Sequence, residues 1–280
     1  MKKIYLLLFI STSLFANCQT THEVGGENWN ISNGIIQTTG SSHDTLAIKY
    51  WNYLNHKLPS KVLDKYISSL RLYTDGQYET MGGMTPLNDS NTVWEIDIDT
   101  IDFDFKNKDS FHIRNYVHTI IHEFGHILTL NPGQIEITKD EYQNNNKGYL
   151  NSAGYAMPES YLDQFVNSFW NGKLLRKWDK ISKIQNERRK LRLLYKFYLK
   201  NKSQFLTDYA AESPEEDIAE SWTFFVLSDK PTLDDVKHKK VLFFYRFPEL
   251  VAYRNEIRSK LNSLPTDYIN TYRSNPNAKQ

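Results

Sequence analysis

The chain has 280 residues, of which 40% are hydrophobic and 24% charged, with a net charge of +1. That length can hold one large or two small domains with an ample core. The near-zero charge excludes the basic signature of a nucleic-acid-binding protein. The one cysteine, Cys18, lies near the N-terminus, so the body holds neither an internal disulfide nor a thiol catalyst.

Met1-Lys2-Lys3 is a short basic segment, and Ile4 to Phe15 is an apolar run too short to span a bilayer. Cys18 follows at once in Leu14-Phe-Ala-Asn-Cys18. This arrangement resembles a bacterial lipoprotein signal, in which the cysteine becomes the lipidated first residue. The resemblance implies export and lipid anchoring in a bacterial cell envelope, on the outer membrane or its periplasmic face; ordinary secretion is the alternative. Residues 19–43 are polar and Gly-rich without periodicity and read as a flexible tether. A single domain is expected over 44–265, followed by a frayed polar tail over 266–280.

The body reads as α+β. Asp44 to Asn55 has helical spacing at Leu46, Ile48, Trp51 and Leu54. Pro59 to Leu70 reads as a second helical stretch running into a strand at Arg71 to Tyr73, and Gly82-Gly83 as a turn. Thr92 to Asp99 alternates apolar and acidic residues, the pattern of a half-buried strand.

Phe111 to Leu130 is apolar at Ile113, Val117, Ile120, Ile121, Phe124, Ile127 and Leu128. Spacings of three and four describe a helix buried on one side, stopped by Asn131-Pro132-Gly133. Within it stands His122-Glu123-Phe124-Gly125-His126, the H-E-x-x-H pattern. Residues four apart lie on one helix face, so both imidazoles can reach one zinc ion at about 2.0–2.1 Å. Glu123 then sits beside the metal, placed to take a proton from water. A pair of hydrogen-bonded core histidines is the other reading. His118 extends the same row by one turn and reads as packing or as support behind the ligands.

Residues 133–155 are polar and Asn-rich and read as a loop. Glu159 to Trp170 is helical, with Leu162, Phe165, Val166 and Phe169 on one side. Lys173 to Lys202 reads as one long helix with twelve basic and two acidic residues, a local charge of +10. Its basic face is either solvated or meets anionic headgroups or an acidic substrate.

A zinc site that hydrolyses needs three protein ligands and one open position. A third histidine at the usual downstream spacing is absent, since Thr129 and Pro132 stand where Gly and His would be. Asp208 to Leu227 is the best source of a glutamate. Ser213 suits an N-cap, Pro214 the first helical position, and the acidic first turn the positive helix end. Glu216 and Glu220 lie four apart and face one way, among Ile218, Ala219, Trp222, Phe224, Phe225 and Val226. Ser213-x-x-Glu216 also fits a capping box, in which case Glu220 would be the ligand. Pro231 to Pro265 reads as two helices parted near Phe247-Pro248, packing behind this one.

His122-Glu-Phe-Gly-His126, Tyr209 and Glu216-Asp-Ile-Ala-Glu220 together resemble the gluzincin zinc metallopeptidases, and most closely the bacterial zinc-binding metallopeptidase lipoproteins. The resemblance implies a zincin-like fold, a small mixed sheet next to an active-site helix followed by a mostly helical C-terminal part. It implies Zn2+ held by His122, His126 and Glu216, with Glu220 orienting a ligand histidine. It implies Glu123 as general base and Tyr209 as oxyanion donor, although tyrosine is common in this chain. Where thermolysin-like members have Asn and Asp around the ligand glutamate, Glu215 and Ala219 stand here. The strand before the zinc helix is expected to border the cleft and offer a free edge to an extended peptide or protein substrate; an ordinary sheet strand is the alternative. Two other functions use the same residues: a zincin-fold surface protein that binds without catalysis, and a zinc amidohydrolase acting on a cell-wall link.

Overall fold

A computed structural model describes residues 24–76, 80–107, 109–140, 143–144, 147–170, 172–261 and 268–272. The expected signal segment, with Cys18, lies outside them. Within the span expected as one domain the described residues form two compact units, 24–127 with 259–261, and 128–258 with 268–272.

The first unit begins where a tether is expected. Strand β1 (Val24–Ser32) turns through Asn33-Gly34 into β2 (Ile35–Ile36), with Ile31 paired to Ile36 and Ser32 to Ile35. Asn33 and Gly34 have φ of 52° and 72°, the positive pair that a two-residue hairpin turn demands and that Asn-Gly supplies at least cost. A Cβ at Gly34 would stand 2.3 Å from Asp64 Oδ1. The segment is fixed at two further points. Trp29, fully buried, donates its indole N–H to Asp44 Oδ1 at 2.6 Å, and Trp51 donates to the Gly34 carbonyl at 2.8 Å. Two tryptophans thus pin the hairpin to helix α1 (Asp44–Lys57).

Helix α2 (Ser60–Tyr66) is shorter than its spacing implies, because β3 (Ile67–Thr74) already starts at Ile67. Leu70 is paired on both sides, to Trp29 of β1 and to Ile96 of the strand beyond, and this two-sided ladder overrides the local helical pattern. Gly82-Gly83 is not a turn but the start of β4 (Gly82–Pro86), which pairs antiparallel with β5 (Trp94–Asp99). A Cβ at Gly82 would lie 3.1 Å from both the Asp97 carbonyl and Thr119 Cγ2, so glycine lets the strand approach its neighbours closely.

The sheet order is β2-β1-β3-β5-β4, with only β3 and β5 parallel. The strand expected to offer a free edge, β5, is therefore internal, and the edge beyond it is β4. After β5 the chain enters helix α3 (Ser110–Leu130). An aromatic cluster docks its first turns on α1: the Tyr116 and Phe103 rings lie 4.2 Å apart, Tyr50 and Phe103 5.3 Å, and Tyr50 O–H donates to the Phe103 carbonyl at 2.7 Å.

In the second unit, the loop expected over 133–155 contains a small hairpin, β6 (Ile135–Ile137) with β7 (Gly154–Ala156). Helix α4 (Tyr161–Phe169) follows, capped by Ser160. The long basic helix is instead two, α5 (Lys173–Ser182) and α6 (Glu187–Lys200), with Asn186 capping the second through the Arg189 N–H. Asparagine is as good a helix starter here as it is a poor helix interior residue, so the chain breaks before it.

Helix α7 (Pro214–Leu227) is the hub: every residue but Glu215 is buried. Helix α8 (Val236–Phe243) sends Lys240 into an ion pair with Asp217 of α7, both fully buried. Trp170 Nε1 donates to the same Asp217 oxygen at 2.6 Å, and Lys240 also donates to the Gln204 carbonyl at 2.6 Å. Helix α9 (Pro248–Ser259) closes the far end of α7. Arg254 donates to the carbonyls of Phe225 and Ser228, each at 2.7 Å, and Arg258 to Val226 at 2.9 Å. These are the carbonyls a helix C-terminus leaves unsatisfied, and cations suit that end of the dipole. The tail expected to fray from 266 instead includes α10 (Tyr268–Thr271), where Tyr268 is buried with its ring 5.2 Å from that of Phe224. No helix among the described residues is long and apolar enough to cross a membrane.

Candidate metal centre

Helix α3 carries its polar residues inward. His118, Thr119, His122, Glu123 and His126 are all buried, alongside Ile120, Ile121, Phe124 and Ile127. Four-residue spacing places the His122 and His126 rings one above the other, 4.8 Å between centroids and nearly perpendicular at 78°. Their Nε2 atoms converge to 3.1 Å. Two ligands of one tetrahedral zinc at about 2.05 Å stand about 3.3 Å apart, so the pair is set as zinc requires. His118, one turn earlier, stacks its ring near-parallel to His122 at 6.5 Å.

Helix α7 starts as its sequence prescribes. Ser213 Oγ accepts the Glu216 N–H at 3.1 Å, and Pro214 occupies the first turn. This half of the capping box uses the backbone of Glu216, not its carboxylate. Thr207 Oγ1 donates to Glu220 Oε2 at 2.6 Å and accepts the Ala210 N–H at 3.1 Å. Thr207 thereby braces both Glu220 and the 3-10 helix Tyr209–Ala211, which packs on α7 and carries the half-buried Tyr209. Sequence reasoning missed Thr207; its signal was a hydroxyl at the cap position of a turn directly before the glutamate helix.

Among the described residues, two groups of three could hold a metal ion: His122, His126 and Glu216, and His118, His122 and Glu220. In each, one ligand atom per residue lies within 4.8 Å of the others; the groups share His122, and all five residues are buried.

Carboxyls near the start of α7 are raised. Burial, then the charges of Glu216 and Asp208, push the Glu212 carboxyl up to about 8. Burial likewise raises Glu215 and Asp208, with Glu216 adding to the first and Glu220 to the second. Two histidines and a glutamate are a usual donor set for zinc.

On the sheet side, Tyr73 and Asp97 stand close enough to Glu123 to feel its charge. Burial is the main cause raising Asp97 to about 7, followed by Glu95; Arg71 opposes, and Glu123 adds to the rise. Burial also raises the Tyr73 phenol, with Asp75, Asp97, Asp99 and Glu123 contributing. Its hydroxyl donates to the Thr80 carbonyl at 2.7 Å.

No curated protein and no solved structure gives a significant match to the chain. The family model described as "Putative zinc-binding metallo-peptidase" matches residues 52–270, a span that takes in the H-E-x-x-H helix and the whole of α7. By that match, the chain belongs to this family of zinc-binding metallopeptidases.

Proposed function

We propose that the chain is a zinc-dependent peptidase in which His122, His126 and Glu216 hold the ion. The observation that carries this reading is the 3.1 Å convergence of two imidazole Nε2 atoms on a buried helix face, with Glu123 next to the first. Zinc held there supplies Lewis acidity, which activates water and polarises a carbonyl. Glu123 receives the proton of the attacking water and hands it to the departing amine. The Tyr209 phenol donates to the oxyanion of the tetrahedral intermediate. Glu220, braced by Thr207, orients a ligand histidine through its ring N–H. An extended peptide pairs with the outer edge of β4, the strand beyond β5 in the sheet.

The group formed by His118, His122 and Glu220 supports a second ligand assignment, with the metal one turn earlier along α3. Metal content separates the two. One zinc per chain, lost in Glu216→Ala and mostly kept in Glu220→Ala, is expected; the reverse pattern moves the site to the second group. Digestion of a peptide library with and without chelator then tests the activity. Metal binding without hydrolysis would favour a binding protein, and cleavage confined to cell-wall fragments would favour an amidohydrolase.

A further inference from the structure

We infer that the α5–α6 hairpin docks the chain onto an anionic lipid bilayer surface. Residues 173–202 hold twelve basic and two acidic residues, while the rest of the chain has 22 basic and 31 acidic. Positive charge is thus gathered in one stretch of chain, against a body of −9. Only Lys183 and Lys190 pair with acids, Asp179 at 2.7 Å and Glu187 at 2.8 Å. The other ten cations make no ion pair among the described residues, and all ten are exposed.

The hairpin has a fixed inner side. Leu194 and Phe197 of α6 are buried, the Phe197 ring stacked 6.2 Å from that of Trp170, and Trp178 of α5 donates to the Glu212 carbonyl at 2.6 Å. Helical spacing then turns Arg188, Arg189, Arg192, Lys196 and Lys200 to the opposite face of α6. Helix α5 buries no residue at all. Its apolar row of Leu174, Leu175, Trp178 and Ile181 is half-covered, and Lys173, Arg176, Lys177 and Lys180 point away from it. Together the two helices present a strip about 15–20 Å long.

Leu199 decides the class of partner. It is 51% exposed, and its spacings of three and seven from Lys196 and Arg192 put it on their face. Half-exposed Tyr195 lies one turn before it. A soluble acidic polymer would satisfy the cations and leave this leucine in water. A bilayer interface takes both, since headgroups meet Lys and Arg while the leucine enters the acyl boundary and tyrosine sits at the headgroup level.

The test uses the full chain carrying Cys18→Ser, so that no lipid can be attached, with phosphatidylcholine vesicles and 3:1 phosphatidylcholine–phosphatidylglycerol vesicles. Whatever the N-terminal apolar segment contributes is common to parent and variants. Binding to the anionic vesicles is expected to exceed binding to neutral ones by at least about 30-fold at 0.1 M salt and to collapse at 0.5 M. Arg188→Glu/Arg192→Glu/Lys196→Glu lowers it about 100-fold, at roughly fivefold for each cation. Leu199→Ser lowers it about 3- to 10-fold with an unchanged melting temperature. Should the triple variant fail to fold, Lys173→Glu/Lys177→Glu on α5 reads the same contact. Equal binding to neutral and anionic vesicles, or undiminished binding by a folded charge variant, overturns the proposal. Tight capture of polyglutamate that Leu199→Ser leaves unchanged, with weak vesicle binding, also overturns it and assigns the face to an acidic polymer.

Discussion

Helices α3 and α7 both carry candidate metal-binding groups on buried surfaces, yet they bury polar groups for different ends. On α3 the buried polar residues form one row, His118, His122 and His126 with Glu123 beside it, and their placement follows from helical spacing alone. On α7 the two candidate glutamates flank Asp217, whose work is mechanical: it takes the Lys240 ammonium and the Trp170 indole and so ties α8 and the end of α4 to α7. Burial pushes Asp217 up to about 6 against the pull of Lys240. A buried charge is therefore not in itself a sign of chemistry. What marks chemistry is convergence on a common point, as with the paired Nε2 atoms at 3.1 Å.

The largest expected effect comes from Glu123→Gln. Removing the base should cut peptide hydrolysis about 10²- to 10⁴-fold while zinc content and the melting temperature stay near wild type. A loss of folding in its place would make Glu123 a structural group like Asp217 and erase the distinction. Asp217→Ala should destabilise by about 3–5 kcal/mol in denaturant unfolding, because Lys240 is left charged, buried and without its carboxylate. Asp217→Leu with Lys240→Met should recover most of that loss, which a ligand role for Asp217 would not allow in the metal-content assay. Ser213→Ala removes the acceptor of the Glu216 N–H and should cost about 1 kcal/mol, mostly by fraying the first turn of α7. A larger drop in zinc affinity than in stability would show that the cap also sets the glutamate.

A pH-dependent effect concerns Asp97. Its carboxyl is raised to about 7, so the folded state holds a proton that the unfolded chain releases near 3.8. Stability therefore falls as pH rises between these values and levels off above the upper one. The melting temperature should drop from pH 5 to pH 8, and Asp97→Asn should flatten part of that slope. An unchanged slope would mean that Arg71 neutralises the group more fully than burial and Glu95 disfavour its charge.

Much of the site was legible because its signals are local. The histidine row, the stop at Asn131-Pro132-Gly133, the Ser213 cap and the first-turn proline each rest on contacts within one or two helical turns. The hairpin at Asn33-Gly34 is passed over in the reading of 19–43 as a tether, although that dipeptide favours positive φ at both positions. Composition misled because the segment is held by two tryptophan indoles rather than by an apolar run of its own.

The sequence by itself determined which helices are buried and which residues share a face, because side-chain direction along a helix follows from its period. Only the tertiary structure decided that β5 is internal and β4 the edge, that Ile67 to Leu70 is strand, and that Asp217 pairs with Lys240. Those outcomes depend on partners tens to more than a hundred residues away. No period within one segment encodes a partner at that distance; ladder pairing and the cost of leaving a buried charge alone select it.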